Sequence, residues 1–591
     1  MKIENILAFD IELFPNYFLL SIKDLKSEKI ISYELKDANK SINSNQRNEI
    51  LDLISKNILI GYNCNNYDIP ILIQYLHKKS VLNLKKLSDY IISNSSPGWM
   101  TMKNLRIEPI KINCIDLIEP SPAVRIGLKL YGARMHSQKL QDLPYSPDKK
   151  LTKNQMSKVL SYCENDLNTT IDLFYAIKPN LELREKINKK YQIDVMSKSD
   201  GQIAEAIFKA KLGHVNKPGE FKGTIEYNPH LYLKFKNKQL KEVLSFVKKH
   251  KFELDGKGAV KLPPELREMK IEIGHSVYRI GIGGLHSSEK AQTIKPNKKQ
   301  SLIDRDVTSY YPMIIINRKL APKHLDKRFL KIYKEIFEDR KKAKQTGDKL
   351  TDASLKLALN SSFGKLGSKW SFLYSPELML NVTLTGQLCL LWLIEVLERN
   401  DIQVMSANTD GFVSLVDDME TFDKICSKWE RKTKFNLEDN YYKALYSRDV
   451  NNYLAITIDN KTKGKGIFAE TSLRKNPTGD IIIQSVKDYL LSGTLIEDTI
   501  NRCKDTRKFI FARTVKGGAV WKDQYLGRVV RWIHSTQGEA IRYESNSNRV
   551  PKSDMAWPMM EISDTPPHLD RTRYIDEARD VLESLGINYG S

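Results

Sequence analysis

The sequence predicts a multidomain fold that combines an α/β domain with an α+β region. The chain has 591 residues, which is too long for one hydrophobic core and predicts about three or four domains. Strand-like apolar runs and one long helical pattern occupy the first 180 residues, whereas a helical hairpin and a strand–turn–strand segment occupy the middle. Apolar residues (41%) and charged residues (28%) occur in the proportions of a globular protein.

The N-terminal part of the sequence contains both strand-like and helix-like patterns of apolar residues. Apolar runs predict strands over residues 3–9 and 17–22, and a third run covers residues 58–60. Helical signals extend over residues 153–177, and Pro179 ends that pattern. We therefore expect an α/β domain over residues 1–180.

Residues 181–300 carry weaker signals and are interpreted as a region that leads into the next domain. The Lys-rich stretch 234–252 has the pattern of an amphipathic helix. Its basic face suits contact with a nucleic acid or plain exposure to solvent, and both interpretations stay open. The prolines at 263 and 264 indicate a loop, and residues 276–289 have the pattern of a strand with a glycine-rich turn.

The central part of the chain predicts a helical hairpin. Apolar residues recur at i, i+3, i+4, i+7 and i+8 from Phe329, which predicts a helix over 325–346 with one buried stripe. Gly347 breaks this pattern, and a second helix is predicted from about residue 352 to 363. Residues 402–416 predict strand, turn and strand, with Asn-Thr-Asp-Gly as the turn.

Composition restricts the class of function. The net charge of +22 suggests a polyanionic partner; nucleic acid is the first interpretation, an anionic membrane surface the second, and a Lys-rich coding bias the third. We see no stretch with the roughly 18 apolar residues of a membrane span, and MKIENILAFDIE lacks the apolar core of a signal peptide. The six cysteines form no Cys-x-x-Cys pair, so a reducing cytoplasm fits better than a disulfide framework or a structural zinc.

A first pair of acids lies on the first predicted strand. Asp10 and Glu12 are two residues apart, so both carboxylates lie on the same face of that strand. Like charges this close repel each other, and a divalent cation is the usual partner that relieves the repulsion. Exposed, solvated acids at a strand edge are the alternative.

Further acids follow downstream. Asp68 ends the segment Asn63-Cys-Asn-Asn-Tyr-Asp, and Tyr162 and Asp166 share a helical face because they are four residues apart. A tyrosine hydroxyl can orient a water molecule while an aspartate holds the metal that activates it. Two metals about 4 Å apart stabilise both the attacking and the leaving oxygen in phosphodiester hydrolysis.

A second set of acids occurs later. Asp306 follows an apolar strand and opens the segment Asp-Val-Thr-Ser-Tyr-Tyr-Pro, where a side chain can hold a metal and the backbone is free to bind a triphosphate. Asp410, in the predicted turn, is a second candidate ligand. Lys356, Asn360 and Phe363 share one helical face, and a cation, an amide and an aromatic ring suit a triphosphate and its base. Taken singly, Lys356 is more typical of a solvated lysine, and Phe363 is more typical of a core residue.

Together these patterns resemble family B DNA polymerases with a 3′–5′ exonuclease. The series D-x-E, N-x-x-x-Y-D and Y-x-x-x-D is similar to the three motifs of a DEDDy exonuclease. DVTSYYP, KLALNSSFG and NTDG resemble motifs A, B and C of the polymerase. The resemblance covers about residues 1–470, and the length is typical of a compact bacteriophage-type member.

The resemblance implies a fold as well. An RNase H-like exonuclease domain over residues 1–180 would precede a right-hand polymerase of palm, fingers and thumb. The implied parts are a linking region (181–300), the palm (301–324 and 367–470), two-helix fingers (325–366), and a thumb with the C-terminal region (471–591).

The resemblance further implies roles for individual residues. Two Mg²⁺ ions are expected in each site, with Mn²⁺ as an alternative. The implied metal ligands are Asp306, Val307 and Asp410 in the polymerase and Asp10, Glu12, Asp68 and Asp166 in the exonuclease. Tyr162 and Asn63 complete the exonuclease site, as a catalytic and a substrate-binding residue. The implied substrate-binding residues of the polymerase are Tyr311 as the gate against a ribose 2′-hydroxyl, Arg340, Lys344, Lys356, Asn360 and Phe363 around the incoming nucleotide, and Tyr453, Lys463 and Lys465 near the primer.

The implied activity is DNA-directed DNA synthesis with proofreading. Primer–template DNA, deoxynucleoside triphosphates and replisome proteins are the expected partners of a monomer in the cytoplasm, which for a phage protein is the host's. Lys356 lies 50 residues after Asp306, and Asp410 lies 54 residues after Lys356. These intervals leave no room for the additional subdomains of protein-primed members, so we expect extension of a nucleic-acid primer.

The sequence departs from the family at two positions. Asn408 stands where motif C has its first aspartate, and asparagine replaces the lysine of the K-x-Y element before Tyr453. Two alternatives stay open: an exonuclease whose polymerase half is degenerate, and a non-enzymatic DNA-binding scaffold.

Overall fold

A computed structural model describes residues 5–122, 125–215 and 218–589 of the chain. Its fold is a mixed α/β arrangement with two compact units. The first unit consists of Met1–Ser199, Thr471–Ile481 and Arg502–Tyr574, and the second of Asp200–Glu470, Ile482–Asn501 and Ile575–Ser591. The segment 471–591, predicted as one region, is thus divided between the units, and the first unit continues beyond the predicted boundary at residue 180.

The N-terminal part of the first unit is an α/β layer structure. Its strands are β1 (Ile6–Phe14), β2 (Tyr17–Asp24), β3 (Ile30–Leu35), β4 (Ile58–Gly61) and β5 (Cys114–Asp116). Its helices are α1 (Ser44–Lys56), α2 (Asp68–Leu76), α3 (Val81–Asn94), α4 (Gly98–Asn104), α5 (Leu128–Met135), α6 (Lys153–Ala176) and α7 (Lys178–Tyr191). These elements confirm the predicted strands and the helix over 153–177, although residues 3 and 4 of the first prediction lie outside the described residues.

The sheet of this layer has the order β3-β2-β1-β4-β5, with β4 and β5 parallel to β1. Side chains alternate between its faces with period two. On β1, Leu7 and Phe9 join a core with α1–α3, whereas Ile6 and Ala8 join a core with α5–α7. Residues 10 and 12 continue the second series, so their side chains leave the sheet toward α6.

Pro179 has a different role from the one predicted. It lies in the first turn of α7, where its missing N–H costs no helical hydrogen bond. It therefore starts a new helix directly after α6 instead of ending the helical region.

The second unit is built on an antiparallel sheet. Its strands are β6 (Ile225–Glu226), β7 (Lys251–Phe252), β8 (Ile271–Ile273), β9 (Ser276–Ile280), β10 (Leu285–Ser288), β11 (Gln292–Ile294), β12 (Ser301–Val307), β13 (Gln403–Asn408), β14 (Gly411–Val416), β15 (Leu437–Asp449), β16 (Asn452–Thr457) and β17 (Thr462–Lys465). The large sheet has the order β17-β16-β15-β12-β14-β13-β10-β9-β8, with β11 paired to β15.

The helices of this unit up to residue 470 are α8 (Asp200–Leu212), α9 (Lys238–Lys249), α10 (Pro264–Glu268), α11 (Tyr310–Asn317), α12 (Asp326–Gln345), α13 (Lys349–Leu366), α14 (Pro376–Glu398) and α15 (Met419–Thr433), with a 3₁₀ turn at Gly466–Phe468. Helices α9, α12 and α13 confirm the amphipathic helix and the helical hairpin. The second hairpin helix begins three residues earlier than predicted, because Asp348 accepts a hydrogen bond from the Thr351 N–H as an N-cap. Pro264, predicted in a loop, begins the short helix α10.

Helix α14 is long and apolar enough to cross a membrane, judged by length and composition alone. The sequence prediction did not anticipate such a segment. In its most apolar 18-residue window, 83% of the residues are buried inside the protein. The helix is therefore packed as a core helix of the second unit.

The C-terminal segment contributes α16 (Asp480–Ser492), α17 (Ile496–Arg502), a 3₁₀ turn (Thr506–Phe509), β18 (Phe511–Trp521), β19 (Gln524–Glu539), β20 (Arg542–Tyr543), β21 (Ala556–Pro558) and α18 (Arg571–Ser584). Strands β18–β21 form an antiparallel sheet of order β20-β18-β19-β21 that belongs to the first unit. Arg531 on β19 is fully buried there. Its guanidinium donates hydrogen bonds to the carbonyls of residues at 137, 138, 559 and 560, and burial lowers its pKa to about 10.

Candidate functional site

The first acidic set converges on one point of the first unit. Asp10 and Glu12 project from β1 toward α6, which carries Asp166. One ligand oxygen from each of these three residues lies within 4.8 Å of the others. Asp10 also accepts a contact from the Cys163 thiol, at 3.4 Å from Sγ to Oδ2. The face of β1 that carries Asp10 and Glu12 thus lies beside the part of α6 that carries Asp166.

The electrostatics of this cluster fit a cation. Burial raises the pKa of Glu12 well above its usual range, and Asp10 and Asp166 raise it further. Burial likewise raises the pKa of Asp166 to about 7, which Lys129 lowers and Asp10 raises. Carboxylate oxygens are the ligands that Mg²⁺ prefers, and a bound divalent cation would relieve the repulsion that these shifts express.

Asp68 begins α2 and is 5% exposed. Burial and the charge of Asp10 raise its pKa well above the usual range, so it lies in the electrostatic field of the cluster. Asn63 belongs to the loop that precedes this helix, and its side-chain oxygen accepts a hydrogen bond from Asn66 at 2.9 Å. The structure therefore places Asn63 in the loop that supports Asp68.

Asp116 was missed in the sequence. Its carboxylate accepts hydrogen bonds from the backbone N–H groups of Asn63 (2.8 Å) and Asn65 (3.0 Å). It thereby fixes the loop that leads into Asp68. Its position at the end of an apolar strand was visible in the sequence, but the contact depends on β5 lying beside β4 in the sheet.

Tyr162 lies one helical turn before Asp166 on the same helix, and burial together with the charges of Asp166 and Glu12 raises the pKa of its hydroxyl well above the usual range. Lys129 on α5 places Nζ 4.6 Å from the centre of the Tyr162 ring and 3.2 Å from an Asp142 oxygen. Lys129 was also missed, because no spacing in the sequence joins α5 to α6. It supplies positive charge beside an otherwise acidic site.

The second acidic set lies in a cavity of about 580 Å³ in the second unit. Four separate segments predicted to bind metal or nucleotide line this cavity together. They contribute Asp306, Val307 and Tyr311 from the β12–α11 segment, Arg340 and Lys344 from α12, Lys356, Asn360 and Phe363 from α13, and Asp410 from the β13–β14 turn.

A neighbouring cavity of about 230 Å³ shares Asp306 and Asp410 with the first. It is also lined by the remaining predicted residues, Tyr453, Lys463 and Lys465, and by Asn408. Every polymerase-site residue that the sequence predicted therefore lines one of two adjoining cavities.

The two aspartates are brought together by strand pairing. Strands β12 and β14 are antiparallel, with Asp306 opposite Gly411, and the Val307 N–H donates to the Asp410 carbonyl at 2.7 Å. A Cβ atom at position 411 would collide with Asp306 Oδ1. Glycine at this position therefore leaves room for the Asp306 carboxylate.

The side chains on α12 are held by carboxylates. Arg340 donates to Asp352 Oδ1 at 2.9 Å and to the Ser309 hydroxyl at 2.8 Å. Lys344 contacts Glu438 at 2.8 Å. Both cations point into the cavity with their charge partly balanced, and a polyphosphate would compete with these carboxylates for them.

Aromatic rings form another wall of the same cavity. The ring centres of Tyr311 and Phe363 are 4.4 Å apart, and the Tyr311 hydroxyl donates to the Gly283 carbonyl at 2.8 Å. The glycine-rich turn between β9 and β10 thus fixes the Tyr311 ring. Lys356 and Asn360 are exposed on the same helix as Phe363.

The charges of this site also fit a cation. Burial raises the pKa of Asp306 to about 7. The charges of Asp304 and Asp410 also raise this pKa, whereas the charge of Lys463 lowers it. Burial and Asp304 raise the pKa of Asp410 as well. Asp304 was missed in the sequence, although its spacing of two from Asp306 on a strand repeats the Asp10-x-Glu12 pattern.

Asn408, the departure from motif C, is part of a local network. Its side-chain oxygen accepts a hydrogen bond from the Thr409 hydroxyl at 3.1 Å, and it pairs with His286 across β10 and β13. Burial lowers the pKa of His286, and the charge of Lys465 lowers it further.

Among known proteins, similarity to this chain is found in solved structures. A similar solved structure is that of the family B DNA polymerase from the hyperthermophilic archaeon Pyrobaculum calidifontis, with 13% sequence identity and a TM-score of 0.40. The match covers 98% of this chain and 77% of that one. No protein-family model and no curated protein matches the chain.

Proposed function

We propose that the chain is a DNA-directed DNA polymerase that extends a primer 3′-hydroxyl and carries a 3′–5′ proofreading exonuclease. The observation that carries this proposal is the cavity of about 580 Å³, because it brings carboxylates, cations and aromatic rings together. These include Asp306 and Asp410, the cations of Arg340, Lys344 and Lys356, and the rings of Tyr311 and Phe363. Such a combination suits metal ions, a triphosphate and a base together.

In the proposed polymerase site, Asp306 and Asp410 hold two Mg²⁺ ions, and Val307 lies beside them. Bound Mg²⁺ would polarise the α-phosphate and lower the pKa of the primer hydroxyl. Arg340, Lys344 and Lys356 bind the triphosphate, for which Arg340 must exchange Asp352 and Lys344 must exchange Glu438 for phosphate oxygens.

Nucleotide selection is assigned to the aromatic wall. Tyr311 is held at Gly283 and against Phe363, so its ring has little freedom to move away from a bulkier sugar. We propose that Tyr311 excludes a ribose 2′-hydroxyl, and that Phe363 and Asn360 lie against the base and sugar of the incoming nucleotide. Tyr453, Lys463 and Lys465, which line the neighbouring cavity, would contact the primer end.

In the proposed exonuclease site, Asp10, Glu12, Asp68 and Asp166 hold the metal ions. Bound metal would supply a hydroxide at neutral pH and stabilise the leaving oxygen. Tyr162, one helical turn before Asp166, would position the attacking water, and Asn63 would contact the 3′-terminal nucleotide.

The partners follow from the proposed activity. Primer–template DNA would account for part of the net charge of +22, and deoxynucleoside triphosphates are the proposed substrates. A monomeric enzyme of a bacteriophage, working with replisome proteins in the host cytoplasm, is the biological setting that we propose.

One experiment tests the proposal against its two alternatives. Primer extension and 3′-end degradation are measured on the parent chain, on Asp10→Ala and on Asp410→Ala. We expect Asp410→Ala to lose extension by a factor on the order of 10³ or more and to retain degradation, and Asp10→Ala to show the reverse. Degradation without extension in the parent chain would indicate a degenerate polymerase half. Salt-dependent DNA binding with neither activity would indicate a scaffold.

A further inference from the structure

A lysine at the second site lies between two carboxylates. Lys463 on β17 places Nζ 2.7 Å from Asp304 Oδ2 and 4.0 Å from Asp306 Oδ2. Asp304 and Asp306 leave the same face of β12 because they are two residues apart. All three residues line the cavity of about 230 Å³.

Asp304 is held more firmly than its neighbour. It is 7% exposed, and its Oδ2 also accepts a hydrogen bond from the Tyr442 hydroxyl. Tyr442 lies on β15, directly opposite Leu302 of β12. By contrast, 43% of the Asp306 side chain is exposed, as is required of a group that must reach a metal or a substrate.

Strand pairing fixes the backbone from which the Lys463 side chain extends. Strand β17 is paired to β16, with Lys463 opposite Ala455 and Lys465 opposite Tyr453. The Lys463 side chain therefore extends from a fixed strand, and the nearest carboxylates available to it are Asp304 and Asp306. An ammonium pairs most strongly with the carboxylate that it can approach and hydrogen-bond directly.

We propose that Asp304 is a positioning residue that holds Lys463 away from Asp306 and so keeps the Asp306 carboxylate available to a divalent cation. The predicted effect of Asp304 on catalysis rests on the proposed function, whereas its predicted effect on metal binding does not. If the Asp304 charge is removed, Lys463 is left with Asp306 as its nearest carboxylate, and the ammonium competes with the cation.

The argument predicts a specific non-additivity between two substitutions. Asp304→Asn weakens cation binding when Lys463 is present, because the free ammonium moves to Asp306. It has little effect when Lys463 is replaced by methionine, because no ammonium competes. We expect Asp304→Asn to weaken Mn²⁺ binding about tenfold, within the range of couplings between residues in contact.

The test measures Mn²⁺ binding by electron paramagnetic resonance, with Asp10→Ala and Asp166→Ala introduced to remove the first site. Parent chain, Asp304→Asn, Lys463→Met and the double variant are compared. Asp459→Asn is the matched control, since Asp459 pairs with Lys461 at 2.5 Å near the same strand but lies outside both cavities. We expect weaker binding in Asp304→Asn alone, equal binding in Lys463→Met and the double variant, and no change in the control.

Several results would overturn the proposal. Equal losses from Asp304→Asn with and without Lys463 would show that Asp304 acts by its own charge. Weaker Mn²⁺ binding in Lys463→Met than in the parent would contradict the competition, and this variant remains informative if Asp304→Asn does not fold. Absence of Mn²⁺ binding in the parent would remove the premise.

Primer extension at varied Mg²⁺ is measured on the same proteins. The Mg²⁺ concentration for half-maximal rate should rise about tenfold in Asp304→Asn. The maximal rate should stay unchanged, which would show that the loss is in metal binding. A parent chain that binds Mn²⁺ but does not extend primers would contradict the proposed function and leave the role of Asp304 supported by the binding measurement.

Discussion

Gly411→Ala should inactivate the proposed DNA synthesis while leaving the protein folded. The added Cβ would collide with Asp306 Oδ1 and lie 3.1 Å from the Arg305 carbonyl oxygen. The backbone at 411 is held between β12 and β13, so the Asp306 carboxylate has to move instead. A displacement of about 1 Å in a catalytic group costs on the order of 100-fold in rate, which corresponds to about 2.7 kcal/mol of transition-state stabilisation.

Single-turnover primer extension at saturating nucleotide and Mg²⁺ measures this loss directly. The first unit holds the acids of the proposed exonuclease, so degradation of a 3′ end by the same preparation should be unchanged and serves as an internal check of folding. Gly256→Ala is the matched control, because a Cβ there meets nothing within 4 Å. An extension rate within about threefold of the parent would refute the argument that position 411 must be glycine to admit Asp306.

Two further predictions concern stability. Without metal, burial raises the pKa of the Asp166 carboxyl to about 7, whereas an aspartate in the unfolded chain has a pKa of about 3.9. Because the folded-state pKa is the higher one, the stability that this carboxyl contributes is present below the unfolded pKa and is lost as pH rises through about 7. Urea unfolding in EDTA should therefore show a loss on the order of 4 kcal/mol over this interval, which Asp166→Asn reduces; a pH-independent midpoint would contradict it. Arg531→Met removes the donor to the four backbone carbonyls and should cost about 2–4 kcal/mol in urea unfolding. Arg531→Lys should restore only part of this, since an ammonium has fewer donors; full stability in Arg531→Met would refute the proposed role.

Local periodicity explains which features were predictable. The same-face placement of Asp10 with Glu12, and of Tyr162 with Asp166, follows from residue spacing within a single strand or helix. The hairpin of α12 and α13 follows from one buried stripe and a glycine. In each case the information is contained in a short stretch of sequence.

The residues that were missed act across elements. Asp116 fixes the loop at Asn63 only because β5 lies beside β4, and Lys129 reaches Tyr162 only because α5 packs on α6. No spacing encodes these contacts. The assignment of β18–β21 to the first unit was unpredictable for the same reason, since it depends on Arg531 meeting carbonyls almost 400 residues earlier in the chain.

The residues two positions before Asp306 and Asp410 differ in charge. Asn408 is uncharged, whereas Asp304 carries a carboxylate that is paired with Lys463. Its proposed effect is to free Asp306 for the cation, and a site with fewer carboxylates depends more strongly on each one being unpaired. Asn408→Asp should therefore make the proposed synthesis less sensitive to Asp304→Asn, and an unchanged sensitivity would show that the two positions act independently.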